Sequence, residues 1–218
     1  MKTVRILLSI SALLLIVNTA KAQDTVSELG YSERNRQDKK FLITGQPIGF
    51  GPVGMLTQGV TFGIYLDPNS LITVDLKTGR DSSLINWSWD HYSVKYSAIG
   101  VNFKQFVNTS FYVQGGLNLR QIDYTYDYNG WYSGTSTEYT RFKGKTLEAT
   151  FAIGNQWQWG KFTMGCDWVG INLPVTTTID SESTTGTSPS TKHLNDDEDK
   201  YLKQTSAIVT NFYLGVSF

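Results

Sequence analysis

From residue 57 to residue 218 one pattern dominates: apolar residues at every second position, interrupted alternately by short turns and by long polar segments. Val60, Phe62, Ile64 and Leu66 alternate with Thr61, Gly63 and Tyr65. After Asp67-Pro68-Asn69-Ser70, Ile72, Val74 and Leu76 alternate with Thr73, Asp75 and Lys77. Period two with one apolar face predicts half-buried strands. The four residues between them are turn formers, each for its own reason. Further strands are predicted at about residues 91–107, 110–127, 139–158, 161–177 and 201–218. The connections at Asp67, at Asn108-Thr109 and at Trp159-Gly160 are short, whereas segments 78–90, 128–138 and 179–200 are long. Strict alternation of short turns and long loops is the plan of an up-and-down barrel with its turns at one end and its loops at the other.

If both termini lie at the short-turn end, a long connection must precede the Asp67 turn, and a strand must precede that. Residues 41–50 are the candidate, which brings the count to eight, an even number. Pro47 falls inside this strand and cannot donate to a ladder, so the strand is bulged there or its limits differ. Alternation also slips between Trp168 and Ile171, around Gly170, and Pro174 lies high on the same strand. A bulge near the outer rim accounts for both. The expected fold is an all-β, eight-stranded antiparallel up-and-down transmembrane β-barrel over residues 41–218.

Composition agrees with a lipid-facing β-protein. Charged residues make up 17% and aromatic residues 13%, the former low against the usual quarter or so. A secreted β-sandwich shares this composition and is the alternative. Beyond the N-terminal segment no stretch is apolar for long enough to cross a bilayer as a helix, and a chain can otherwise span hydrocarbon only as a closed barrel. Residues 1–22 read as a signal peptide: Lys2 and Arg5, an apolar run from Ile6 to Val17, then Ala20-Lys21-Ala22 as the cleavage site. Residues 23–40 are polar and aperiodic, and are expected to be a flexible periplasmic tail. Removing Lys2, Arg5 and Lys21 leaves 16 basic and 19 acidic residues, a net charge of −3, which argues against a nucleic-acid partner. The single Cys166 allows no internal disulfide, and its place beside Phe162, Met164 and Trp168 predicts a lipid-facing small hydrophobe.

Alternation assigns the faces. Phe111, Val113, Leu117 and Leu119 are predicted outward against Tyr112, Gln114, Gly116, Asn118 and Arg120 inward; Leu147, Ala149, Phe151 and Ile153 outward against Glu148, Thr150, Ala152, Gly154 and Gln156 inward. In the last strand Ile208, Thr210, Phe212, Leu214, Val216 and Phe218 share the outward face. The inward charges Asp75, Lys77, Lys104, Arg120, Glu148 and Asp167 would form a lumen network. Arg120 lies about twelve residues above its turn and Glu148 about eleven above the next, so the two are predicted to pair. An eight-stranded barrel is just wide enough for side chains to fill; a solid polar plug and a gated narrow conduit both fit. Two aromatic girdles are expected, Phe111, Trp157, Trp159, Phe162 and Phe218 at the turn end and Tyr124, Tyr126 and Trp131 toward the loops.

The terminal Phe212-Tyr213-Leu214-Gly215-Val216-Ser217-Phe218 resembles the C-terminal signature of outer-membrane barrels, and the topology is similar to that of the small OmpA- and OmpX-like barrels. The resemblance implies a Gram-negative outer-membrane location, contact with outer-membrane lipids and lipopolysaccharide, and recognition of the last strand by the barrel-assembly machinery. It implies no particular activity. His91-Tyr92-Ser93 is similar in two positions to the His-x-Ser of lipid A deacylases, yet its strand carries no orienting carboxylate. Asp81-Ser82 resembles the Asp-Ser of lipid A palmitoyltransferases in that dipeptide alone. The acidic run at Asp196-Asp197-Glu198-Asp199 lacks the spacing and glycine of a calcium loop, and the glycines at 49–54 lack the lysine of a phosphate loop. No cofactor or metal is expected. A non-enzymatic structural or surface-interaction barrel is the leading reading. A small porin or passage for a hydrophobic molecule comes second, and a lipid A-modifying enzyme third.

Overall fold

The computed structural model describes residues 31–50, 55–82, 90–107, 109–129, 137–185 and 199–218. Eight strands follow one another: β1 (Phe41–Phe50), β2 (Leu56–Asp67), β3 (Ser70–Ser82), β4 (Asp90–Phe106), β5 (Phe111–Asn129), β6 (Thr137–Trp159), β7 (Phe162–Thr185) and β8 (Ser206–Ser217). Each pairs antiparallel with the next and β8 pairs with β1, closing the sheet. Closure removes the exposed edges that a flat eight-stranded sheet would carry. The strands are unequal: β1 has 10 residues and β7 has 24. Residues 179–185, expected in a loop, prolong β7 instead, and a short π-helical turn at Asp199–Lys203 precedes β8.

The sheet is apolar outside and polar within. Val60, Leu76, Ile99, Leu119 and Leu147 are successive partners across β2 to β6 and lie on the outer face. On the inner face Thr61, Asp75, Gly100, Asn118 and Glu148 are partners in the same way. Buried positions include Lys104, Arg120, Glu148, Gln156 and Asp167, while Phe62, Ile64, Leu117, Phe212 and Leu214 are exposed. This is the reverse of a water-soluble sandwich.

Three neighbouring strands break their alternation. The β1 register shifts on both sides of Pro47, which carries Pro47 and Ile48 outward together and spares the ladder a missing donor. In β7 the register skips Trp168, near the expected slip, and again at Val175 beside Pro174. In β8 it skips Thr210, which has φ of 49°, a conformation uncommon for a β-branched residue. That kink corrects one expectation: Ile208 turns inward and is buried, and the residues from Asn211 onward keep the predicted faces.

A second correction concerns residues 31–37, expected within a flexible tail. They form helix α1 (Tyr31–Gln37), with Ser32 and Arg36 buried against the barrel. A seven-residue polar helix has little stability of its own; tertiary contacts at the barrel mouth hold it. The signal segment 1–22 lies outside the described residues.

Candidate functional site

The lumen is filled from both ends. At the turn end Arg36 of α1 enters the mouth. Its Nε donates to the Pro68 carbonyl at 2.6 Å, its Nη1 donates to the Thr109 carbonyl at 2.8 Å, and its guanidinium carbon lies 3.9 Å from the centre of the Phe106 ring. One side chain thus joins the β2–β3 and β4–β5 turns. Above it a hydrogen-bonded chain crosses the barrel. Tyr112 donates to Asp167; Tyr213 lies 3.2 Å from both the Tyr112 hydroxyl and Gln156 Oε1; Gln156 donates to Tyr65 at 2.9 Å; and Tyr65 donates to Gln158 Oε1 at 3.4 Å. The Gln158 backbone N–H reaches Ser32 Oγ at 3.3 Å, so the chain ends on α1. Lys104 donates to the Tyr213 hydroxyl and sits 4.4 and 4.5 Å from the ring centres of Tyr112 and Tyr213. A buried ammonium needs such surroundings, since burying it bare is costly.

Midway up, Asp75 accepts from Thr61 Oγ1 and from Asn102 Nδ2, both at 2.6 Å. Arg120 Nη1 lies 3.0 Å from Glu148 Oε1, both side chains almost wholly buried. The register places Arg120 opposite Thr146 and Glu148 opposite Asn118, so the contact is diagonal. Neither of those two atoms has hydrogen-bonding geometry; the attraction is that of two close charges. Lys77 is half-buried on the same inner face. The structure thus puts all six charges expected in the lumen on its inner wall, five of them in three groups: Asp75 with Thr61 and Asn102, Arg120 with Glu148, and Lys104 and Asp167 around the two tyrosines.

Above Arg120 the interior turns apolar. Leu202 and Tyr201 of the π-helical turn pack with Met55, Val94, Tyr96, Ile122, Tyr124 and Phe142. The Leu202 carbonyl accepts from Arg120 Nη2 at 2.9 Å and from Thr146 Oγ1 at 2.8 Å. Tyr124 stacks on Phe142 at 4.8 Å between ring centres and lies 5.4 Å from Tyr201. Tyr124 and Tyr126 therefore belong to this inner cap and not to a lipid-facing girdle, a correction with a simple cause. Even-numbered residues of β5 point inward, from Tyr112 through Arg120 to Tyr126. Trp131 lies outside the described residues, as do the side chains of Asp81, Ser82 and His91 and residues 186–198.

The expected lower girdle faces outward. Trp159, Phe162 and Phe218 are exposed and Phe111 and Trp157 half-exposed. Trp159 stacks with Phe162 at 5.9 Å and Phe218 lies 5.8 Å from Phe41. At its other margin the apolar wall gives way to a polar outer row, Gln58, Thr78, Ser97, Gln121 and Lys145, each the partner of the next. Beyond it runs a charged row, Arg80, Lys95, Asp123 and Lys143. Asp123 bridges Arg141 and Lys143, each at 3.2 Å, and Lys145 bridges Asp180 at 2.7 Å. Nothing in the sequence singles out Arg36 or Leu202, whose roles depend on contacts across the barrel. The charged row could be found only once the register was known.

The fold and its filled interior define a closed eight-stranded β-barrel with an apolar outer wall. The sequence matches no protein-family model and no curated protein. Among solved structures, a major outer membrane protein from Thermus thermophilus is similar at a TM-score of 0.51 and 9% identity, over 83% of this chain and 98% of that one. CarO2 and CarO from Acinetobacter baumannii align at TM-scores of 0.47 and 0.41 and identities of 11% and 12%, over 83% and 84% of this chain and 100% and 98% of theirs. The Thermus likeness shows a shared barrel fold.

Proposed function

We propose that this chain is a non-conducting outer-membrane barrel that acts through surface contacts at its loop end. The observation that carries the reading is the closure of the lumen from two directions, by Arg36 at one mouth and by Leu202 and Tyr201 at the other. Membrane insertion is supported by the outer wall, whose rows of exposed Leu, Ile, Val and Phe far exceed what a soluble monomer tolerates. Action at the loop end is supported by strand length. About 9–11 tilted residues cross a bilayer, whereas β6 has 23 and β7 has 24, so a wall formed by β5 to β7 stands clear of the lipid.

The test is planar-bilayer conductance of the refolded protein, with heat-dependent gel mobility as the control for folding. A folded, silent barrel is the expected result. Stable open-channel steps would overturn the sealed-lumen reading in favour of a small pore. Solubility as a native monomer in buffer without detergent would overturn membrane insertion.

A further inference from the structure

We propose that the outer wall beside Pro47 binds one anionic, phosphate-bearing membrane lipid, with its phosphate between Arg80 and Lys95 and an acyl chain in the adjoining hollow; this rests on the membrane reading above. The hollow begins with a missing side chain. Gly45 faces outward between Val60 and Leu214, its partners on either side, and a Cβ built on it would meet nothing within 4 Å. The bulge at Pro47 then bows the strand just above. Together they leave an open hollow of about 470 Å³, lined by Gly45, Pro47, Val60, Leu76 and Leu214. It continues past Gln58 and Thr78 into a second hollow of about 440 Å³ that ends at Arg80 and Lys95. The path therefore runs from apolar to polar to cationic, the order of groups along a lipid from acyl chain through ester to phosphate.

The charges point the same way. Arg80 and Lys95 are direct cross-strand partners, both exposed on the outer face. Like charges directly opposite one another destabilise a sheet unless something neutralises them. Lys95 also faces Asp123 across β4 and β5, but that carboxylate is held by Arg141 and Lys143, and among the described residues none lies within 4 Å of Arg80 or Lys95, whereas Arg141, Lys143 and Lys145 in the same belt each have one. Arg80 lies eleven residues along the chain from Asn69 of the turn, and a spanning strand needs about 9–11. The pair thus stands where the hydrocarbon ends and phosphates begin.

The test is native mass spectrometry of the full refolded barrel in neutral detergent, titrated with dipalmitoyl phosphatidic acid or with the diacylglycerol bearing the same chains. The wild type should retain phosphatidic acid at least about tenfold more tightly than diacylglycerol, and Arg80→Gln/Lys95→Gln should abolish that preference. Gly45→Leu, whose Cβ would meet nothing within 4 Å and whose side chain would occupy the hollow, should weaken both lipids. Lys145→Gln, in the ion pair with Asp180, should change neither more than about twofold. A folded wild type without the preference, a double glutamine variant that keeps it, or full displacement by inorganic phosphate would overturn this inference alone. A wild type that is native without detergent would overturn the membrane reading and this site with it.

Discussion

Arg120 and Leu202 tie the wall of the barrel to its cap: Nη2 of the guanidinium donates to the Leu202 carbonyl at 2.9 Å while Nη1 faces Glu148 at 3.0 Å. One buried cation therefore hydrogen-bonds the turn that closes the lumen and neutralises a carboxylate on the sheet. Removing it alone strands Glu148 in a dry interior, and breaking a buried pair from one side costs about 3–5 kcal/mol. Arg120→Met should lower the urea midpoint of the refolded barrel, followed by tryptophan fluorescence, by a corresponding amount. Arg120→Met/Glu148→Leu should recover at least half of the loss, because no unpaired charge remains. Equal losses in the single and double variants would show that the pairing is not what stabilises this layer.

The cap itself depends on Leu202, fully buried against Gly144, where an added Cβ would come within 2.5 Å of Leu202 Cδ1. Leu202→Ala leaves a cavity in the cluster with Tyr124 and Phe142, and a buried Leu-to-Ala change costs about 2–5 kcal/mol. Faster proteolytic cleavage within residues 199–203 is expected, with the strands still protected. Gly144→Val should give the same phenotype from the opposite side of the contact by displacing Leu202. Cleavage rates unchanged in both variants would mean that the turn is held by other contacts.

At the opposite mouth Arg36 supplies two hydrogen bonds to carbonyls of different turns and covers the Phe106 ring. Hydrogen bonds from a charged donor are worth about 1.5–3 kcal/mol each, and α1 is too short to persist without them. Arg36→Ala should bring amide exchange in residues 31–37 close to the rate of an unstructured chain and leave β1 to β8 protected. Conductance should stay silent, because the cap above Arg120 still closes the lumen. Protection retained in α1 would place its anchor at Ser32 and Asn35, which contact Gln158, instead of at Arg36.

Strand number, the order of connections and most side-chain faces were legible because each follows from period two and local turn chemistry. β1 matches its expected limits, and Pro47 announced its own bulge. What stayed hidden needs long-range information. The tail around Arg36 has no periodicity, so only the barrel mouth reveals it as a helix. Tyr124 was read by residue type as an interface aromatic, although the parity that turns Arg120 inward turns Tyr124 inward too. Ile208 escaped for a different reason: its inward turn depends on Thr210 adopting a positive φ, a conformation that a threonine in a strand does not advertise. The grouping of the lumen charges depends on register and on barrel shear, neither of which composition encodes.

Cys166 offers a check on the outer wall that requires no functional assay. By alternation it faces outward with Met164, yet it is fully covered. Its strand partners are Asn155 and Phe212, and the Trp168 indole N–H reaches across to Asn155 Oδ1 at 2.7 Å. The indole thus leans from β7 toward Asn155 of β6, the strand partner of Cys166, and is the expected cover of the sulfur. A thiol without access reacts slowly whatever its intrinsic chemistry. A membrane-permeant maleimide should therefore leave the folded wild type unlabelled for hours and label the urea-unfolded chain within minutes. Trp168→Ala should raise the folded-state rate by at least about tenfold while heat-dependent gel mobility stays the same. Rapid labelling of the folded wild type would mean that the wall is open between β7 and β8, where Trp168 and Thr210 both leave the ladder, and the closed seam described for this barrel would then be wrong.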